Sequence, residues 1–169
     1  SAVREESESN LVLLFIDDSS PDGSGKIISE FVKTHDFIGL VERESKDGLG
    51  KAYVHGFEVA ISEGADVVIQ MDADLSHDPS IILDLQKKID EGSDVAIASR
   101  YIQGGGVEGW PLMRKVTSAG GNIYAKWMMK LGGIKDCTSG FRAIDSGKLR
   151  NVLERNEEFS SGYVFQIEL

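Results

Sequence analysis

Two acidic pairs, Asp17-Asp18 and Asp72-Ala73-Asp74, each stand directly after a run of apolar residues. Crowding carboxylates without a counterion is costly, so four of them in such positions point to a cation or a hydrogen-bonding ligand. Asp72 and Asp74 can share one divalent ion whose shell is completed by waters and phosphate oxygens, which suits Mg²⁺ or Mn²⁺. The bland alternative is a loop in which aspartates favour turns and caps. Asp17 and Asp18 suit a different task, because a carboxylate accepts N–H donors from a nucleobase edge. Capping of the next helix is the competing use.

Cations follow at positions that would face the same ligand. Arg100, in Ser99-Arg100-Tyr101, comes just after a fourth apolar run. Its guanidinium fork matches a pyrophosphate. Arg114, Lys115 and Arg142 extend this into an anion-binding set, although each alone reads as a solvated charge. The three histidines, His35, His55 and His77, lack zinc-ligand spacing. His77 lies close to Asp72 and Asp74 in sequence and suits a supporting role there.

The elements that must position these groups alternate. Leu11 to Ile16 reads as a buried strand, and Ser20-Pro21 as the cap and first position of a helix through about Thr34. Phe37 to Val41 is a short strand, and a helix from Leu49 to Glu63 is closed by Gly64. Asp66 to Met71 is the third strand, Pro79 opens a helix that Gly92 ends, and Asp94 to Ala98 is the fourth strand. Such alternation predicts an α/β fold, doubly wound around a mostly parallel sheet. A glycine loop, Gly104 to Gly106, then leads to Trp110-Pro111 and a helix to about Leu131, interrupted by Gly120-Gly121. Close packing, a kink or a nearby ligand would each account for that pair.

Composition narrows the class further. The 169 residues carry a formal net charge of −10, the wrong sign for a nucleic-acid partner. Cys137 is the single cysteine, so no internal disulfide forms. No apolar run approaches the ~20 residues of a membrane helix. Both ends read as cut, and we expect one catalytic domain, 1–169, taken from a longer protein.

The string Ile16-Asp17-Asp18-Ser19-Ser20-Pro21-Asp22-Gly23-Ser24 resembles the nucleotide-binding motif of family 2 glycosyltransferases, and Asp72-Ala73-Asp74-Leu75-Ser76-His77-Asp78-Pro79 the metal motif of their polyprenyl-phosphate branch. Gly48 to Tyr53, Ser99 to Tyr101, Gly109 to Lys115, Asp136 to Ala143 and Gly162 to Glu168 extend the match in order along nearly the whole chain. The set is similar to dolichol- and polyprenol-phosphate mannosyltransferases. That resemblance implies a GT-A fold, a GDP-mannose donor, a dolichyl or polyprenyl phosphate acceptor and peripheral contact at the cytoplasmic face of a membrane. It implies Asp17 and Asp18 at the nucleotide, Asp72 and Asp74 at the metal and donor phosphates, and Arg100 and Arg114 at the phosphates. Asp74, Arg100 and Arg114 are then the expected catalytic set, with Arg142 among the ligand-binding residues. The family's first strand and its C-terminal elements are missing from the match, and Ser76 stands where some members carry Gln.

The acceptor phosphomonoester, with a second pKa of about 6, is ionised at neutral pH, so the expected inverting attack needs no strong general base. Asp136 and Glu168 are expected to contact the sugar or to orient the arginines. Glucose from UDP-glucose is the sister possibility. A signalling receiver domain, or an inactive scaffold, is the alternative from another class.

Overall fold

The computed structural model describes residues 11–102, 105–106, 112–128, 130, 133–155, 159–160, 162 and 164–169. Strand β1 (Leu13–Asp17) leads through helix α1 (Ser24–Thr34) to β2 (Ile38–Glu42), which pairs parallel to β1 with Leu13 opposite Ile38 and Asp17 opposite Glu42. Helix α2 (Leu49–Ser62) follows and packs on both β1 and the third strand, β3 (Val67–Gln70). A short 3₁₀ turn at Pro79–Ile81 runs into α3 (Ile82–Asp90), then β4 (Val95–Ile97), α4 (Leu112–Met128), β5 (Arg142–Asp145), α5 (Ser146–Arg155) and the single turn α6 (Phe165–Glu168).

The α/β class holds, with helices on both faces of the second sheet. Its order is β3-β5-β4, and β5 runs antiparallel to both neighbours. Successive strand residues face opposite sides, and β5 serves both. Ile144 joins Phe57, Val68, Leu149 and Phe165 in one apolar cluster, while Phe141 and Ala143 join Leu85, Ile89 and Ala96 in the other.

Two local expectations are corrected. Ser20-Pro21 does not start α1; the helix begins at Ser24, after Gly23 at φ 86°. Ser20 donates its N–H to Asp17 Oδ2, and Asp22 Oδ1 takes the Ser24 N–H and hydroxyl. Those bonds hold residues 20–23 in a turn that the proline pattern does not reveal. Close packing against the described residues does not explain Gly120-Gly121, because a Cβ at either position would meet none of them.

Candidate active site

The loop before β5 gathers the chemistry. β5 runs opposite to β3 and β4, so its start lies beside their ends, and residues 136–141 thread between Asp72 and Arg100. The Ser139 hydroxyl donates to the Ala98 carbonyl at 2.8 Å, and the Ala98 N–H donates to Phe141 O at 2.9 Å. One sheet edge thus carries Asp72, Arg100, Asp136, Gly140 and Arg142.

Asp72 is held from several sides. The Tyr53 hydroxyl, from α2, donates to its Oδ1 at 2.6 Å. Its backbone N–H donates to His77 Nδ1 at 3.1 Å, which leaves the imidazole proton on Nε2. The His77 ring stacks on Phe141 with centroids 5.1 Å apart. Gly140 lies against the other oxygen, and a Cβ there would sit 3.3 Å from Asp72 Oδ2. Asp74 is exposed; the side-chain and backbone hydrogen bonds with Ser76 hold its carboxyl below the usual range. Leu75 between them is 96% exposed at φ 64°.

Arg100 is clamped rather than loose. Its Nε and Nη2 donate to Asp136 Oδ2 and Oδ1, each at 2.7 Å, and Nη2 also reaches Thr138 Oγ1 at 2.7 Å. The Asp136 side chain is fully buried. Burial pushes its carboxyl up, but the hydrogen bonds and charge of Arg100, with Thr138, outweigh this and hold it below the ordinary value. Asp136 therefore orients Arg100. Glu168 is instead bonded to Ser160 N and Oγ.

Arg142 is 3% exposed, and its Nε and Nη2 donate to the Ser139 carbonyl. Burial pulls its guanidinium down to about 10, so it stays charged at neutral pH. It pins the loop that sets Gly140 against Asp72. Arg114 and Lys115 lie in the first turn of α4, and their side chains fall outside the described residues, as do Trp110 and Tyr163.

At the other sheet, Asp17 is buried at the end of β1, with Oδ2 accepting the Ser20 N–H at 3.2 Å. Asp18 forms an ion pair with Arg43 at 2.7 Å, and Arg43 also lies 3.8 Å from Asp47. Sequence reasoning passed over Arg43, Tyr53 and Asn122. Arg43 was findable, since it follows the strand parallel to β1 and so arrives beside Asp18. Asn122, on α4, donates to Lys135 O and accepts from Cys137 N, which ties α4 to the loop carrying Asp136. Nothing local marks that contact.

Among the described residues no three His, Cys, Asp or Glu side chains converge to hold a metal. Two hard carboxylates do fit a cation that takes its remaining ligands from water and phosphate. Asp72 Oδ2 accepts no hydrogen bond among the described residues, and the absent Cβ of Gly140 leaves it room.

An α/β domain with acidic strand ends and clamped cations on one edge fits a nucleotide-dependent transferase, and the comparisons give that class its family. The family model for glycosyl transferase family 2 matches residues 1–153, and the chain belongs to that family. That membership displaces the receiver-domain alternative. The chain is 41% identical to a polyprenol monophosphomannose synthase of Mycolicibacterium smegmatis over 161 residues, covering 93% of this chain and 59% of that protein. It is 36% identical to an undecaprenyl-phosphate mannosyltransferase of Micrococcus luteus, covering 93% and 63%, and 38% identical to a dolichol-phosphate mannosyltransferase of Pyrococcus furiosus, covering 80% and 38%. The chain thus spans less than two thirds of each relative's length.

Proposed function

We propose that the chain is the catalytic domain of an inverting mannosyltransferase that moves mannose from GDP-mannose to a dolichyl or polyprenyl phosphate. The observation that carries this reading is the coincidence of the Asp72, Arg100 and Arg142 edge with relatives whose names all specify mannose transfer to, or synthesis on, a polyprenol-type phosphate.

In this reading Asp72 and Asp74 hold a Mg²⁺ or Mn²⁺ ion. Held there, such a cation would supply positive charge for a departing diphosphate. Arg100, fixed by Asp136, and Arg114 bind the same diphosphate, and the buried charge of Arg142 adds positive potential. Asp17 and Asp18 contact the nucleotide. An acceptor phosphate oxygen attacks the anomeric carbon, the bond to the diphosphate breaks on the opposite face, and GDP leaves. The ionised acceptor supplies the nucleophile without a protein base.

Contact with a membrane surface is assigned to α4. Met113, Ile123, Tyr124, Trp127 and Met128 on it are exposed, Trp127 at 77%. From Leu112 to Lys135 the sequence has no Asp or Glu but carries Arg114, Lys115, Lys126, Lys130 and Lys135, in a chain of net charge −10. Aromatic side chains beside cations suit an anionic lipid interface. No helix among the described residues is long and apolar enough to cross a membrane.

The test supplies the protein with Mn²⁺, a short polyprenyl phosphate and either GDP-mannose or UDP-glucose. Mannosyl lipid is expected from wild type and not from Asp74→Ala. Product from UDP-glucose alone would replace the donor assignment, and no product from either would overturn the reading.

A further inference from the structure

Tyr53 is half-buried, and its hydroxyl donates to Asp72. Its ring lies parallel to that of Phe165, 5.9 Å away at 4°, and stacks on Phe57 at 5.9 Å. Phe165 is fully buried and also meets Phe159 edge-on. The stack can be this close because residue 50 has no side chain: a Cβ there would overlap the Ser160 carbonyl and lie 3.3 Å from Phe165 Cβ. An aromatic layer between α2 and α6 therefore fixes the Tyr53 ring without help from its hydroxyl.

That hydroxyl bonds Asp72 Oδ1 at 2.6 Å, the length of a charge-assisted O–H···O⁻ bond. With Gly140 against Oδ2, the carboxylate has one oxygen engaged and the other confined but unbonded among the described residues. Carboxylates that ligate metals are commonly oriented by such hydrogen bonds.

We propose that Tyr53 is a positioning residue that holds the Asp72 carboxylate in the orientation that binds the divalent cation, leaving Oδ2 for the ion. This rests on the reading of Asp72 as a cation ligand. The Tyr53→Phe variant keeps the ring stack and removes only the donor. Binding is read from the free-ion electron paramagnetic resonance signal of Mn²⁺ titrated with the protein, and stability from the thermal midpoint. Tyr53→Phe is expected to weaken Mn²⁺ binding about tenfold or more, with a midpoint close to wild type and activity recovered at higher Mn²⁺. Asp72→Asn is expected to abolish binding. If Asp72→Asn loses Mn²⁺ and Tyr53→Phe binds like wild type, the positioning role is wrong and the cation site stands. If Asp72→Asn binds Mn²⁺ like wild type, both fall. A Tyr53→Phe variant that loses thermal stability while its Mn²⁺ affinity is unchanged would make the hydroxyl structural only.

Discussion

Replacing Asp136 by Asn tests what holds the loop before β5. The Asp136 carboxylate takes five hydrogen bonds: from Arg100 N and Nε on Oδ2, and from Arg100 Nη2, Thr138 N and Thr138 Oγ1 on Oδ1. An Asn must set its NH₂ against one of these groups. The better choice faces Arg100 N and Nε, which strands two donors, one of them charged. Each stranded donor costs about 1–3 kcal/mol. Arg100 keeps a 21% exposed side chain and recovers some solvation, so the expected loss is about 2–4 kcal/mol, at and below the low end of the about 3–5 kcal/mol for breaking a fully buried pair. The assay is urea unfolding of wild type, Asp136→Asn, Arg100→Met and the double variant, comparing midpoints at a common slope. The double variant is expected to be more stable than the sum of the singles predicts, by at least ~1.5 kcal/mol, because the stranded donors are gone. The pH dependence carries a definite sign. A carboxyl held below its ordinary value contributes stability that is present above about pH 4 and lost as the pH falls through the folded value. The gap between wild type and Asp136→Asn should therefore narrow on acidification below that point. A loss under about 0.5 kcal/mol, strict additivity, or a gap that widens in acid would refute the reasoning.

Two further outcomes are expected. Gly50→Ala drives a methyl into the Ser160 carbonyl, so the segment carrying Phe165 must shift, at about 1–3 kcal/mol of stability measured by denaturant midpoint. The double change Tyr124→Ser with Trp127→Ser is expected to reduce co-sedimentation with anionic vesicles about tenfold or more. Its thermal midpoint should hardly move, since both side chains are exposed.

The sequence by itself determined the elements whose signals are local. The run Leu11 to Ile16 covers all of β1 but its last residue, Asp17, and Gly64 and Gly92, at φ 85° and 98°, stop α2 and α3 where the pattern placed them, since that backbone favours a residue without Cβ. The strand-end position of Asp17 and Asp72 was legible for the same reason. Strand β5 was not: four residues beginning with a buried arginine carry no periodic apolar signal. Its antiparallel insertion between β3 and β4 is fixed by pairing across the fold. With β5 unseen, the partners of the site were unseen as well. Tyr53 meets Asp72 across 19 positions and Arg100 meets Asp136 across 36, distances over which no local propensity acts. Residue types marked the acidic strand ends as the place to look for a site, and tertiary packing decided which carboxylate keeps an unbonded oxygen among the described residues and which is spent on holding an arginine.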